Sequence, residues 1–214
     1  MIKVYLVKID SEWDHAELKQ HLSALPQEIK DRILRYKGWK ERQSRIAGKL
    51  LLLRLIKDFG LDHSLHDLQY TSFHKPFFAG DFDFSIAHSG DMVMCAGSLR
   101  SKIGADIEMI NLIELTDYRE QLHPNEWQMI QTATDQPRMF YEIWTKKEAL
   151  LKATGQGVDM ELAGIDVCSD TLGYESIIYH FHTFTGIESY MAAIATSAPS
   201  DSGSVSFERL SDLL

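Results

Sequence analysis

The stretch Lys102-Ile103-Gly104-Ala105-Asp106-Ile107-Glu108-Met109-Ile110 lies near the middle of a 214-residue chain, and its reading decides how the rest divides. Polar and apolar residues alternate through it, as in a strand. Ala105, Ile107 and Met109 project from one face, Asp106 and Glu108 from the other. Toward the N-terminus the hydrophobic period predicts a strand at 2–9, helices at about 14–24, 26–37 and 39–59, and strands near 67–73, 82–87 and 92–99. His88, Ser89, Gly90 and Asp91 read as the turn between the last two. Toward the C-terminus, helices at about 112–121, 124–132 and 138–154 precede strands near 163–168, 175–184, 189–196 and 203–209. Helices then strands, twice over, predict an α+β fold of two similar halves, residues 1–105 and 106–214, with the join near 105–112. The halves share a pattern and no residue-level identity.

Composition narrows the classes. With 44% hydrophobic and 25% charged residues, the chain is neither a disordered tail, a collagen-like fibre nor a disulfide scaffold. The longest apolar run, Leu50 to Ile56, is broken by Arg54 and falls well short of the roughly 18 residues a membrane span needs. The N-terminus MIKVYLVKID reads as a strand without the apolar region of a signal peptide, so a cytoplasmic protein with no membrane partner is expected. Cys95 and Cys168 are too far apart for a metal motif and read as reduced, buried thiols. A net charge of -9 argues against a nucleic-acid partner. It leaves room for a local basic patch. Ten Lys or Arg residues lie between Lys30 and Lys57, Arg32, Arg45 and Lys49 among them, against Asp31 and Glu41.

Three elements carry chemistry-bearing side chains. Asp106 and Glu108 share a strand face, where two carboxylates repel unless a cation lies between them. The pair is either a solvated strand face or a site for a hard divalent ion such as Mg²⁺. On the helix at 138–154, Trp144, Glu148 and Lys152 fall at i, i+4 and i+8 on one stripe, with Lys147 bordering it. Glu148 and Lys152 are either a surface ion pair or, above the Gly155-Gln156-Gly157 stop, parts of a metal and phosphate site. His88 at its turn and Lys75-Pro76 in an aromatic stretch are either solvated turn residues or ligand contacts. His180 and His182 share a strand face with no third ligand evident, which favours a strand surface over zinc. No P-loop, G-x-G-x-x-G or G-x-S-x-G motif occurs.

Taken in order, these elements resemble the 4′-phosphopantetheinyl transferases of the Sfp type over nearly the whole chain. Lys75-Pro76 looks like the family's G-K-P element. Phe84-Ser85-Ile86-Ala87-His88-Ser89 is similar to F-N-x-S-H-S, and Gly104 to Glu108 to G-V-D-I-E. Trp144 to Lys152 fits W-x-x-K-E-A-x-x-K. The Leu25-Pro26 helix start, Arg32 and Ile46-Ala47-Gly48-Lys49-Leu50 look like the family's N-terminal half. The last two sequence motifs of the first group, at this separation, are the specific ones.

The resemblance implies a pseudo-dimer of two α+β halves with the active site at their interface, and hence a monomer. It implies a reaction in which coenzyme A donates its phosphopantetheine arm to a serine of an apo acyl or peptidyl carrier protein, releasing 3′,5′-ADP. Asp106, Glu108 and Glu148 are then the Mg²⁺ ligands, with Glu148, or a water it positions, as base for the carrier serine. Lys152 neutralises the pyrophosphate, and Glu126 in His123-Pro124-Asn125-Glu126 is an acid close behind the metal. Arg32, Lys75, His88 and Ser85 hold the coenzyme A side, which gives the basic stretch a use. A carrier contact is expected on the second half or at 110–125, where Met109, Ile110, Leu112, Ile113 and Leu115 are apolar. Three positions depart from the family pattern: Ser85 for Asn, Ala87 for Ser and His74 for Gly. Loss of a hydroxyl at Ala87 is expected to weaken coenzyme A binding by about one net hydrogen bond, ~0.5–1.5 kcal/mol. The alternative is a catalytically silent relative that binds coenzyme A or a carrier domain.

Overall fold

A computed structural model describes residues 1–157, 161–198, 205–210 and 213. The first round of elements is β1 (Ile2–Lys8), α1 (His15–Ser23), α2 (Gln27–Ile33), α3 (Trp39–Asp58), β2 (Gln69–Tyr70), β3 (Pro76–Phe77), β4 (Phe82–Ser89) and β5 (Met92–Leu99). The second is β6 (Ile103–Met109), α4 (Pro124–Thr132), α5 (Gln136–Thr154), β7 (Thr171–Tyr174), β8 (Ile177–Phe184) and β9 (Tyr190–Thr196), followed by β10 (Val205–Leu210). One sheet runs β10-β1-β5-β4 and the other β6-β9-β8-β7. Helix starts follow their side chains. Asp14 and Glu17 form a capping box on α1, and His123 and Glu126 another on α4. Gly155, at φ 76°, closes α5 in the left-handed conformation that glycine adopts without strain.

Three apolar clusters show the layering. Leu50, Leu51, Leu52 and Leu55 of α3 pack on Tyr5, Phe82, Phe84 and Cys95 of the first sheet. Phe140, Ile143, Leu150 and Ala153 of α5 pack on Tyr179, Phe181 and Met191 of the second. The opposite faces of the two sheets meet in a seam of Val4, Leu6, Met94, Ile103, Ala105, Ile107 and Ile194, all fully buried. The order of layers is therefore helix, sheet, sheet, helix. At roughly 1.5–3 kcal/mol for each fully buried large aliphatic side chain, the seam alone is a strong bond between the sheets. Among the described residues, no helix is long and apolar enough to cross a membrane.

Several elements differ from the sequence reading, each for a local reason. The strand expected near 203–209 forms as β10, but it pairs in parallel with β1 and so joins the first sheet; residues 203 and 204 lie outside the described residues. The strand expected at 163–168 does not form. Residues Leu162–Gly164 make a 3-10 turn instead, because the Lys147 ammonium takes the carbonyls of Leu162 and Ile165 at 2.7 and 2.6 Å. The helix expected at 112–121 is a 3-10 segment, Leu115–Gln121, and the strand at 67–73 shrinks to β2. His88 is not in a turn. It lies on β4 opposite Val93, and the hairpin closes through Gly90 and Asp91 alone, with Gly90 at φ 58°.

Candidate active site

The alternation of β4 sends its residues to two destinations. Phe82, Phe84, Ile86 and His88 face α3, while Asp83, Ser85, Ala87 and Ser89 face β6, the edge strand of the other sheet. That second face is stitched to β6 along its length. Asp83 Oδ2 accepts from Ile103 N at 2.9 Å, Ser85 Oγ donates to Ala105 O across a long 3.5 Å, and Ser89 Oγ donates to Glu108 Oε2 at 2.8 Å. Ala87 lies between them in the seam, 4% exposed. The hydroxyl expected to be missing from a coenzyme A contact at Ala87 therefore belongs to the bond between the sheets, because the pleat turns that side chain away from the cleft.

Ser85 reaches the cleft as well, and the rest of the cleft lies on the other side of β4. It has a volume of about 530 Å³ and is walled by α2, α3, the 70–76 segment, β4 and the last turns of α5. Arg32, Arg45, Lys49, His88 and Lys152 line it, with Tyr36, Tyr70 and Phe73 beside them. The Arg and Lys charges among them crowd one another. Burial holds Lys49 below the usual lysine range, and the charges of Arg32 and Arg45 push it further down. Burial likewise lowers His88, with Arg45 and Lys152 adding to the effect. The Arg45 guanidinium lies 4.0 Å from the centre of the Tyr36 ring, and Arg32 lies 5.3 Å from that of Tyr70. A wall of partly desolvated, mutually repelling cations with aromatic faces between them suits a polyanion carrying a planar ring.

The opposite wall carries the acids. Gly104 makes it possible, since a Cβ there would run into the Ala149 carbonyl and the Ala153 amide; α5 therefore lies directly on β6. Across that contact Lys152 Nζ meets Asp106 Oδ1 at 2.5 Å, and Glu148 stands one turn earlier. Asp106 is 3% exposed. Burial raises its pKa against the opposing pull of Lys152. Burial also raises Glu108 and Glu148, and the Asp106 charge adds to both. Among the described residues, no three carboxylate, imidazole or thiol groups are gathered as a ready-made metal cage. What the fold does assemble is three acids that repel one another, with one lysine between them and Asp106 Oδ2 buried without a hydrogen-bond partner. That orphaned oxygen and the all-carboxylate donor set fit a hard divalent cation.

Two expected residues are already engaged by partners within the protein. Glu126 is fully buried and spent: its oxygens accept from Val167 N at 3.0 Å and His123 N at 2.8 Å, and pair with Lys147 Nζ at 2.9 Å. Lys75 lines the cleft with its stem. Its ammonium binds Asp83 at 2.9 Å and lies 3.4 and 3.5 Å from the carbonyls of Ile103 and Ala153, a brace across both halves. Of the apolar residues expected at a carrier contact, Leu112 is 93% exposed, while Ile110, Ile113 and Leu115 pack on the second core and Met109 on the seam. Sequence reasoning quoted Lys49 and Ser89 without a role. Lys49 was findable as the charge that falls one turn after Arg45, directly before the apolar run Leu50 to Leu53.

Comparison with known proteins bears on the family of the chain. The family model described as 4′-phosphopantetheinyl transferase superfamily matches residues 102–195, and one described as 4′-phosphopantetheinyl transferase, N-terminal, matches residues 11–100. The 4′-phosphopantetheinyl transferase gsp of Aneurinibacillus migulanus is 30% identical over 161 residues, covering 74% of this chain and 68% of its own. A 4′-phosphopantetheinyl transferase of Bacillus subtilis is 24% identical over 225 residues, the full length of both chains. The transferase Sfp of Bacillus subtilis strain 168 is 25% identical over 98% of this chain and all of its own. The matched stretches meet between β5 and β6, at the junction the site straddles, and the chain belongs to the 4′-phosphopantetheinyl transferase superfamily.

Proposed function

We propose that this protein transfers the 4′-phosphopantetheine arm of coenzyme A to a serine of an apo acyl or peptidyl carrier protein, releasing 3′,5′-ADP, with Mg²⁺ held by Asp106, Glu108 and Glu148. The observation that carries the reading is the two-walled cleft. Arg32, Arg45, Lys49 and His88 face Glu148 and Lys152 across one space lined by Tyr36, Tyr70 and Phe73. The first wall holds the 3′-phosphate and adenosine, and Lys152 takes the pyrophosphate. The three acids would hold a divalent cation, which would supply charge stabilisation to the departing phosphate. Glu148 accepts the carrier serine proton; the serine oxygen bonds to the phosphorus that bears the pantetheine, and the bond from that phosphorus to 3′,5′-ADP breaks. Because one chain supplies both walls, the site is complete in a monomer. Leu112 is the apolar point offered to the carrier.

Incubation with coenzyme A, Mg²⁺ and an apo carrier protein tests the reading: the carrier gains the mass of the arm, and a chelator stops the reaction. Coenzyme A binding with no mass gain on any of several carriers would instead identify a silent relative. Against that second reading, Ala87 lies in the seam rather than in the cleft wall.

A further inference from the structure

A serine at the end of a hairpin strand ordinarily satisfies its hydroxyl within its own turn. Ser89 does not. Its Oγ leaves the first sheet, donates to Glu108 Oε2 at 2.8 Å and accepts from Met109 N at 3.1 Å. The hydroxyl is thereby used in both directions, and the Glu108 carboxylate is tied to the backbone of its own strand through a residue of the other half. The next two residues hold the hairpin in place. Tyr190 of β9 donates from its hydroxyl to Asp91 Oδ1 at 2.5 Å and accepts from Asp91 N at 3.1 Å. A Cβ on Gly90 would collide with that same hydroxyl, so only glycine lets the turn close on it.

We infer that Ser89 is a positioning residue that reaches from the first half to fix Glu108 for the divalent cation, so that the cation site is complete only when the β4–β5 hairpin is docked on the second sheet. The inference rests on the cation reading above and adds to it a residue that touches neither coenzyme A nor the metal. With one carboxylate oxygen held by Ser89, the rotamer of Glu108 is set before the cation arrives, and less side-chain freedom is lost on binding. Groups that orient a metal ligand in this way typically contribute about tenfold or more to metal affinity.

The test is Mg²⁺ or Mn²⁺ binding to the whole protein by calorimetry, without coenzyme A, in wild type, Ser89→Ala, Ser89→Thr and Tyr190→Phe. Ser89→Ala is expected to weaken binding about tenfold, and Ser89→Thr to restore most of it by keeping the hydroxyl. Tyr190→Phe removes the neighbouring latch without touching Glu108. It is expected to lower the melting temperature while leaving cation affinity near that of wild type. Wild-type binding that persists unchanged in Ser89→Ala overturns this inference alone. A wild-type protein that binds neither ion overturns the cation reading and this inference with it.

Discussion

Helix α5 carries two lysine–carboxylate pairs that start from the same chemistry and end in opposite conditions. Lys147 and Glu126 are both 0% exposed at their side chains. Every polar atom of that pair is used: the ammonium on Glu126 and two carbonyls, the carboxylate on Lys147 and two amides. The side chains of Lys152 and Asp106 are 33% and 4% exposed. That pair is left open, with Asp106 Oδ2 orphaned and two further acids close enough to raise one another's pKa. A buried ion pair gains stability only when its remaining lone pairs and protons are bonded. The first pair meets that condition and fixes α4, the 162–167 segment and α5 together. The second fails it, and an unmet demand for positive charge at the end of a basic cleft is the mark of a site.

Breaking the open pair is expected to have the largest effect on activity. Asp106→Ala or Glu148→Ala lowers carrier modification by about 10³-fold or more, the scale of removing charge stabilisation from a transferring phosphoryl group. Circular dichroism of either variant stays that of wild type, since nothing folds around the orphaned oxygen; normal turnover would refute the assignment. Breaking the closed pair has the opposite profile. Lys147→Met leaves the Glu126 charge buried and two carbonyls unbonded, a loss of about 3–5 kcal/mol in denaturant unfolding. A stability change under 1 kcal/mol would mean that water reaches this pair. Gly104→Ala bears on the open pair through its spacing alone. The new methyl meets backbone atoms of α5, so stability falls by roughly 1–3 kcal/mol and Lys152 is pushed off Asp106, which coupled loss of cation affinity would report.

Much of this was legible in the chain and some was not, and the division has a physical basis. Period-2 alternation at 103–109 gave β6 and the shared face of Asp106 and Glu108, because a strand's side-chain directions are fixed by its backbone. Helical spacing gave Glu148 and Lys152 one stripe. The same spacing put Lys147 at the border of that stripe and said nothing of its burial, which depends on carbonyls 15 and 18 residues away that no local pattern reveals. The capping box at His123 is what the local pattern says of Glu126: an acid three residues into a helix signals its own N-terminus, while a place close behind the metal came from the family pattern alone. Ala87 fell inside the strand expected at 82–87, opposite in face to Phe84 and Ile86, but what that face meets was not readable; the direction of Ser89 became readable only once β4 was seen to run through His88. The return of β10 to the first sheet could not be read at all, because parallel pairing with β1 is a contact between the two ends of the chain.

The smallest expected effect separates the two pairs by pH. Asp106, Glu108 and Glu148 have folded pKa values above their ordinary ones, with burial as the largest cause in each and the Asp106 charge adding to the other two. A raised carboxylate favours the folded state while protonated. Its contribution is full below the unfolded values of 3.8 and 4.5 and is lost as pH rises through the raised folded values. The cation-free protein should therefore lose stability through this trio as pH rises above the ordinary carboxylate range, as followed by thermal melting. Saturating Mg²⁺ removes that slope, because the ion binds the charged form. Asp106→Asn should flatten it by more than one group's share, since the same substitution removes the charge that raises Glu108 and Glu148. An unchanged slope in that variant would place the three acids too far apart to act together, and the open pair would then be no more than an imperfect copy of the closed one.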